Sequence, residues 1–237
     1  TGGLLRFSEE EWKQGNVFEV GRDIVVPYMK GLGISKIDAL VLTHADADHV
    51  EGAEEVLQEL RVKRIHVPPN SVHDASMADV VAEVMKQRIP VEEKMAGDVW
   101  QHGDVSFTYM WPQNAQYEGN NSSLVLLMEA NNHRVLLTGD VEEAGELDML
   151  QAHDELLQNV TVLKAGHHGS KTSSHPSFVE TVAPRLVVFT AGENNRYNHP
   201  HEDVVARFKA SQSYMWQTGI DGTLKITLGD ELRLQRH

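Results

Sequence analysis

The chain has 237 residues, of which 41% are hydrophobic and 24% charged, a composition typical of a globular domain with a sizeable core. The formal net charge of −14 disfavours a broad basic surface that would hold nucleic acid through phosphate contacts alone. Cysteine is absent, which excludes disulfides and thiolate metal sites and leaves histidine and carboxylate as the plausible protein ligands. The longest apolar run, Leu124–Met128, is too short to cross a bilayer, so no membrane segment is predicted.

Short β-rich runs alternate with helical patterns along the chain. The predicted strands are Ala39–Thr43, Arg64–Val67, Ser106–Met110, Leu124–Glu129, Arg134–Thr138, Thr161–Lys164, Leu186–Thr190, Tyr214–Gln217, Thr223–Leu228 and Glu231–Gln235. The predicted helices are Asp23–Leu32, Gly52–Leu60, Ser76–Lys86, Glu142–Gln151, Pro176–Val182 and Pro200–Ser211. Two adjacent asparagines, Asn131 and Asn132, tolerate positive φ and predict a β-hairpin. With no repeat or flexible linker, we expect a single domain over residues 1–237, an α/β sandwich of two sheets covered by helices.

The segment THADADHVEG, residues 43–52, places two histidines and two aspartates directly after an apolar strand. A helical pattern follows it, so His44 to His49 are predicted to form the connecting loop. The apolar face predicted for that helix consists of Val50, Ala53, Val56, Leu57 and Leu60. A sharp turn there would point His44 and Asp46 one way and Asp48 and His49 another, which suits two neighbouring cations. The alternative is that Asp48 only caps the next helix and that the histidines are ordinary surface residues. Capping accounts for one of these four residues.

Three later strands also end in unusual polar residues. RVLLTGD ends in Asp140, VTVLKAGHHGS ends in His167 and His168, and FTAGENNRYNHP runs into a polar loop that contains His199. The alternative for Asp140 is an ordinary helix N-cap, and the two adjacent histidines could be surface residues. Because neighbouring side chains of an extended chain face opposite ways, we expect only one of these two histidines to bind a metal ion and the other to be available for substrate.

The segments LVLTHADADHVEG, NNSSLVL, LLTGD, LKAGHHGSKTSS and NNRYNHP, in this order, resemble the metallo-β-lactamase fold and specifically the hydrolase-like domain of ComEC-type DNA uptake channels of competent bacteria. The resemblance covers almost the whole chain. It implies an αβ/βα four-layer sandwich of the metallo-β-lactamase type with a metal centre at one edge. Domains of this kind open with a strand and a D-V-G-Q-G-D segment, whereas this sequence begins at Thr1-Gly2-Gly3. We therefore expect the first strands to be missing or to lie outside the chain.

The resemblance implies two divalent metal ions. The implied ligands come from separate strand ends: His44 and Asp46 on the first ion, Asp48, His49 and one of His167 and His168 on the second, and Asp140 as the bridge. Asp46 stands where most of the superfamily has histidine, which favours manganese without excluding zinc. The usual third-motif histidine is replaced by Asn120 and Asn121, so an amide oxygen or water would complete the first site.

The mechanism that the resemblance implies is hydrolysis of a phosphodiester. Cations would lower the pKa of the attacking water, and Asp48 would also orient it. His199 would protonate the leaving oxygen or bind phosphate. The remaining candidate substrate contacts are His168, Ser170, Lys171, Asn195 and Arg196. For the lysine and the arginine the alternative is a solvated surface charge, and for Tyr197 and Trp111 ordinary packing is favoured.

We expect a metal-dependent nuclease that hydrolyses the non-transported single strand of DNA during natural transformation. One alternative is a metallo-hydrolase of a small ester or phosphodiester, similar to phosphorylcholine esterases or lactonases, which the acidic net charge favours. Another is a degenerate, non-catalytic DNA-uptake domain, suggested by Asp46 and the absent third-motif histidine. By resemblance the partners are single-stranded DNA, a parent membrane channel and other competence proteins. The implied location is a soluble domain of a bacterial inner (cytoplasmic) membrane protein, on the extracytoplasmic side.

Overall fold

The structure, a computed structural model, describes residues 18–236. The chain divides into two compact units, a first unit that ends at Lys94 and a second unit that begins at Met95. The expectation about strands before Thr1-Gly2-Gly3 falls outside the described residues, and the single-domain organisation stays a prediction. Among the described residues, no helix combines the length and the apolar character that crossing a membrane requires.

The first unit is built from short parallel strands and helices. Its described strands are β1 (Lys36–Ile37), β2 (Leu40–Val41), β3 (Arg61–Val62), β4 (Ile65–Val67) and β5 (Val91–Glu93). Its described helices are α1 (Val26–Gly31), α2 (Ala47–Val50), α3 (Ala53–Glu59) and α4 (Ala78–Gln87), with a π-helical turn at Gly21–Val25 and 3₁₀ turns at Ser71–His73 and Ala75–Met77. Strands β2, β4 and β5 form a parallel sheet, and β1 pairs with β3.

The core of the first unit follows the helical pattern read from the sequence. The predicted apolar face is buried at every position: Val50, Ala53, Val56, Leu57 and Leu60. These side chains share one cluster with Leu42, Ile65 and Val67 of the sheet. Packing of this helical face against the sheet therefore fixes the strand that leads into the histidine-rich segment.

The second unit holds a larger mixed sheet. Its described strands are β6 (Val99–His102), β7 (Val105–Trp111), β8 (Val125–Ala130), β9 (His133–Leu137), β10 (Val162–Lys164), β11 (Leu186–Phe189), β12 (Tyr214–Gln217), β13 (Leu224–Leu228) and β14 (Leu232–Arg236). Its described helices are α5 (Glu143–Leu157), α6 (Pro176–Val182), α7 (Glu202–Ala210) and α8 (Thr218–Asp221), with 3₁₀ turns at Gly119–Ser122 and Gly166–Gly169. The sheet order is β12-β11-β10-β9-β8-β7-β6, and β13 and β14 form a separate antiparallel pair.

Three neighbouring parallel strands of this sheet, β9, β10 and β11, bring the later motifs to one edge. Because carboxyl ends of adjacent parallel strands lie at the same edge, the segments that follow them emerge side by side. Side chains of successive strand residues point to opposite faces of the sheet, and both faces are packed. Leu136 and Leu163 pack in the core that contains Phe178 and Phe208, whereas Val135 packs in a cluster with the β13–β14 pair. The sheet is thus rigid where the motifs begin.

Most predicted elements are present, and the differences are local. The hairpin is confirmed, since Asn131 and Asn132 both have positive φ and Ala130 pairs with His133. The predicted helix start at Pro200 is wrong, because α7 begins at Glu202 after His201, whose ring nitrogen accepts the N–H of Asp203. The short strands β1, β3, β5 and β6 and the helix α8 were not predicted, because two to four residues carry too little periodicity.

Candidate metal centre

In the first unit, a half-buried strand that runs into the buried Leu42 positions His44. Leu42 continues β2 by donating its backbone N–H to the carbonyl of His66 (3.0 Å) and is itself buried. Two residues later, His44 has a relative exposure of only 1%. This burial is contrary to the alternative in which both histidines of the segment are ordinary surface residues.

The four candidate ligands of the first unit form two histidine–carboxylate pairs. Nε2 of His44 lies 3.7 Å from Oδ2 of Asp46, and Nε2 of His49 lies 3.8 Å from Oδ2 of Asp48. The hydroxyl of Thr43 contacts Nδ1 of both rings, at 3.1 Å and 3.3 Å, and the ring centroids are 4.1 Å apart. Two ligand atoms that each lie about 2.1 Å from one ion are roughly 3–4 Å apart. This donor set therefore fits divalent cations.

Helix capping does not account for Asp48. It lies inside α2, and Asp46 occupies the N-cap position without a capping hydrogen bond from its side chain. Instead, the backbone carbonyl of Asp46 accepts N–H groups of His49 (2.8 Å) and Val50 (3.1 Å). The prediction of a loop throughout His44 to His49 is wrong over its second half, because these hydrogen bonds close one helical turn.

In the second unit, Asp140 follows β9 and is buried, with 2% exposure. Its Oδ1 accepts a hydrogen bond from the ammonium of Lys164 (3.1 Å), which also donates to the carbonyl of Gly139 (2.5 Å). The N-cap alternative for Asp140 is wrong, because Glu142 precedes the first residue of α5. Lys164 therefore holds one oxygen of the aspartate and leaves the other directed at the histidines that follow β10.

The two adjacent histidines both face this aspartate. Nε2 of His168 lies 3.3 Å from Oδ2 of Asp140, and Nε2 of His167 lies 3.9 Å from the same oxygen. The premise that these neighbouring side chains face opposite ways does not hold, because the pair is not extended: φ is 44° at His167 and 55° at His168. Left-handed backbone at both positions turns the rings to the same side. That only one of the two rings binds a metal ion stays a prediction.

Second partners orient both imidazoles. Nδ1 of His168 lies 3.0 Å from the carbonyl of Thr190, which can only accept, so that Nδ1 carries a proton and Nε2 directs its lone pair at Asp140. Two lone pairs at this distance require a proton or a cation between them, and the site fits a cation. Nδ1 of His167 lies 3.3 Å from Oε1 of Glu142 and 3.3 Å from the amide nitrogen of Asn120. The tautomer that donates to Glu142 keeps a lone pair for a metal ion.

The asparagine pair that we expect in place of the third-motif histidine, Asn120 and Asn121, lies in the second unit and has two different roles. The side-chain nitrogen of Asn120 donates to Oε1 of Glu142 (3.2 Å), beside His167. The side-chain oxygen of Asn121 accepts the backbone N–H of Glu142 (3.0 Å), and its carbonyl accepts the indole N–H of Trp111 (2.8 Å). Asn121 thus supports the start of α5.

His199 lies beside this cluster, with its ring centroid 5.6 Å from that of His167. Burial lowers the pKa of His199, and the nearby His167 and His168 lower it further. Both causes disfavour the charged imidazolium. We therefore expect a neutral ring that offers one N–H donor at neutral pH.

An open cleft of about 680 Å³ adjoins His199, within the range of small-ligand sites. Its lining residues are Ser170, Lys171, Tyr197, Asn198, His199, Pro200, His201 and Glu202. Three predicted substrate contacts, Ser170, Lys171 and His199, are therefore brought together within the second unit.

Asn195 and Arg196, two further predicted contacts, do not line this cleft. The side chain of Asn195 is used within its own loop, donating to the carbonyls of Gly192 (2.9 Å) and His199 (2.6 Å) and accepting N–H groups at Oδ1. Arg196 is exposed and lies against Tyr197, with its guanidinium carbon 4.6 Å from the ring centroid.

Sequence reasoning missed Lys164 and Glu142. A signal for Lys164 was a charged residue at the end of an otherwise apolar strand, directly before the histidine motif. Glu142 gave a weaker signal, because an acidic residue at a helix start is common. In the structure it accepts hydrogen bonds from Asn120 and from the hydroxyl of Thr172 (2.8 Å), which places it at the centre of the loops around His167.

Comparison with known proteins identifies the family. The profile of the Metallo-beta-lactamase superfamily matches residues 1–189, and the chain belongs to this superfamily. The predicted α/β fold of the metallo-β-lactamase type is confirmed, and with it the fold of a metal-dependent hydrolase. This membership implies divalent metal ions, for which the two clusters supply histidine and aspartate ligands.

Relatives agree with the resemblance to ComEC-type competence proteins. The chain is 36% identical to ComE operon protein 3 of Bacillus subtilis (strain 168) over 227 residues, which cover 95% of this chain and 29% of that protein. It is 27% identical to Recombination protein 2 of Haemophilus influenzae over 236 residues, covering 99% of this chain and 27% of that protein. The chain thus spans less than a third of the length of these relatives.

Solved structures share the fold at low identity. One is Tm1679, a metal-dependent hydrolase of the β-lactamase superfamily, with a TM-score of 0.54 and 14% identity, covering 84% of this chain and 83% of that chain. Another is CmlA, a diiron β-hydroxylase from Streptomyces venezuelae, with a TM-score of 0.55 and 14% identity, covering 86% of this chain and 45% of that chain. At these identities the likeness shows the fold alone.

Proposed function

We propose that the protein is a metal-dependent phosphodiesterase that cleaves single-stranded DNA. The observation that carries this proposal is the Asp140, His167 and His168 cluster next to a cleft lined by Lys171 and His199. A carboxylate–imidazole cluster is suited to divalent cations, and the ammonium of Lys171 in the adjoining cleft is suited to the phosphate of a diester.

We propose that divalent ions, with manganese favoured over zinc, would be held by His44, Asp46, Asp48, His49, Asp140, His167 and His168. An oxygen-rich first site supports manganese, because carboxylates suit harder cations. When bound, the ions supply a lowered pKa for the attacking water and charge stabilisation at phosphorus.

The chain's own residues have distinct roles in this proposal. Asp48 orients the attacking water. Neutral His199 donates a hydrogen bond from its N–H to a phosphate oxygen, which is the phosphate-binding one of its two expected roles, and Ser170 and Lys171 hold the phosphate. Lys164 keeps the second oxygen of Asp140 occupied, so that this carboxylate presents a single oxygen to the ions.

We further propose that the substrate is the non-transported strand during natural transformation. The relatives named ComE operon protein 3 and, from Neisseria gonorrhoeae, Competence protein ComA support a place in a DNA uptake system. In this proposal the domain works with a membrane channel and other competence proteins on the extracytoplasmic side of the inner membrane.

A second candidate is a hydrolase of a small ester or phosphodiester. The net charge of −14 favours it, because long-range repulsion opposes a polyanionic substrate. The candidates differ in salt dependence: cleavage of a DNA strand held through several phosphates weakens steeply with salt, whereas turnover of a small ester depends on it little.

The test uses the chelator-treated protein, manganese and an end-labelled single-stranded oligonucleotide. Cleavage that requires manganese and is lost in Asp140→Asn supports the proposal. Asp154→Asn, an exposed aspartate on α5, is the matched control and should retain activity. Hydrolysis of a small phosphodiester without cleavage of DNA would favour the second candidate, and the absence of any metal-dependent hydrolysis would favour a non-catalytic domain.

A further inference from the structure

Tyr197 is an exposed aromatic side chain in the cleft beside His199. Its relative exposure is 61%, although it belongs to a loop that contributes several cleft residues. Sequence reasoning favoured ordinary packing for this ring. The structure shows a ring that packs little and lines a cavity.

The loop that carries Tyr197 is held in a defined shape. Oδ1 of Asn195 accepts the backbone N–H groups of Tyr197 (3.2 Å) and His199 (3.0 Å), and its Nδ2 donates to the carbonyl of His199 (2.6 Å). The backbone N–H of His201 donates to the carbonyl of Gly169 (2.8 Å). This hydrogen bond ties the loop to the 3₁₀ turn Gly166–Gly169, which we call the histidine turn. Because the backbone is fixed at these points, the ring is presented with little freedom.

The ring is also oriented relative to its neighbours. It stacks at 24° to the imidazole of His199, with 5.6 Å between centroids, and the guanidinium of Arg196 lies 4.6 Å from its centroid and donates to its hydroxyl. Aromatic rings and planar guanidinium groups are the platforms on which proteins stack single-stranded bases. Lys171 supplies a cation for a neighbouring phosphate in the same cleft, which Glu202 also lines.

We propose that Tyr197, supported by Arg196, is a stacking subsite for one base of a single-stranded nucleic acid, next to the phosphate that His199 and Lys171 contact. This inference rests on the proposed function and names its substrate class. Stacking is independent of base identity, so the subsite selects unpaired strands over duplex and over esters that carry no base.

The experiment measures equilibrium binding by the manganese-loaded protein of a labelled oligothymidylate with hydrolysis-resistant phosphorothioate linkages. A matched abasic oligomer of equal phosphate number is the second ligand. We expect Tyr197→Leu to weaken binding of the oligothymidylate about tenfold and binding of the abasic oligomer by less than about twofold. Tyr197→Phe should retain affinity, and Tyr214→Leu is the matched control, since Tyr214 is 59% exposed and does not line the cleft.

Three results would overturn the subsite: equal binding of both oligomers by the wild-type protein, an equal loss on both in Tyr197→Leu, or no loss on either. Failure of the subsite and failure of the proposed function are distinguishable. Base-dependent binding through Tyr197 without cleavage would refute the nuclease and leave the subsite standing. Cleavage that is unchanged in Tyr197→Leu would refute the subsite and leave the nuclease standing.

Discussion

The ligand cluster after β2 and the one after β9 and β10 present their carboxylates in different ways. In the first unit, the side chains of Asp46 and Asp48 are 57% and 62% exposed, next to more buried histidines. In the second unit, the side chain of Asp140 is 3% exposed and is held by Lys164. A buried carboxylate fixed by an internal cation is already positioned, whereas a solvent-exposed carboxylate in a metal site is more readily replaced by water. We therefore expect the second unit to dominate metal affinity.

The most severe test of this comparison replaces one aspartate in each unit by asparagine. Asp140→Asn removes a charge and leaves the ammonium of Lys164 without its acidic partner, so we expect manganese affinity to fall by about a hundredfold or more. Asp46→Asn should cost about tenfold, because the exposed site can recruit water in place of an oxygen ligand. Titration calorimetry and metal analysis give both values, and equal losses would contradict the comparison.

Backbone shape in the histidine turn gives the next effect. Gly169 has φ of 89°, and an added Cβ would lie 2.6 Å from Cβ of Pro200 and 2.9 Å from a ring carbon of Phe189. Gly169→Ala should reduce the free energy of unfolding by about 3 kcal/mol through strain and overpacking. Gly192→Ala is the control, because no atom lies within 4 Å of its added Cβ, and should cost less than about 0.5 kcal/mol. Similar urea midpoints for the two variants would refute the expected crowding.

The loop that follows the histidine turn is anchored by a buried acid. Glu146 accepts the backbone N–H groups of Ser174 (2.7 Å) and His175 (2.6 Å), and burial raises its pKa from 4.5 to about 7. The folded chain therefore retains this proton up to about pH 7, whereas the unfolded chain loses it near the ordinary value. The free energy of unfolding therefore falls progressively, by about 3 kcal/mol in total, as pH rises from about 4.5 to about 7. Above this pH range the loss levels off.

Urea unfolding at pH values near the two ends of this range, about 4.5 and about 7, measures the change in the free energy of unfolding. In Glu146→Gln, which cannot titrate, that part of the pH dependence should disappear, while the rest of the profile is unchanged. A variant that keeps the wild-type decline would show that another group is responsible.

The smallest expected effect concerns the support of Asp140. Lys164→Met removes the ammonium from Oδ1 and frees the carboxylate to rotate, so we expect manganese affinity to fall about tenfold. Lys164→Arg should recover part of the loss, because a guanidinium can donate to the same oxygen. Lys209→Met, at an exposed position on α7, is the control. Unchanged affinity in Lys164→Met would remove the distinction drawn between the two units.

The sequence by itself determined where chemistry could occur. Apolar runs of strand length ending in His44, Asp140 and the His167-His168 pair predict polar residues at strand ends, because periodicity and burial are encoded locally. The face of the helix after the first motif followed in the same way, and the hairpin at Asn131-Asn132 followed from residues that tolerate positive φ. Strand ends and helix faces were predictable because each depends on a few adjacent residues.

Only the tertiary structure decided how those residues are presented. The histidine pair was expected to diverge, but left-handed backbone turns both rings to Asp140, a conformation that non-glycine residues adopt only when surrounding contacts hold it. The contacts of Lys164 with Asp140 and of Glu142 with His167 join residues 24 or more positions apart. Such contacts are fixed by the order of strands in the sheet, and a local pattern carries no information about that order.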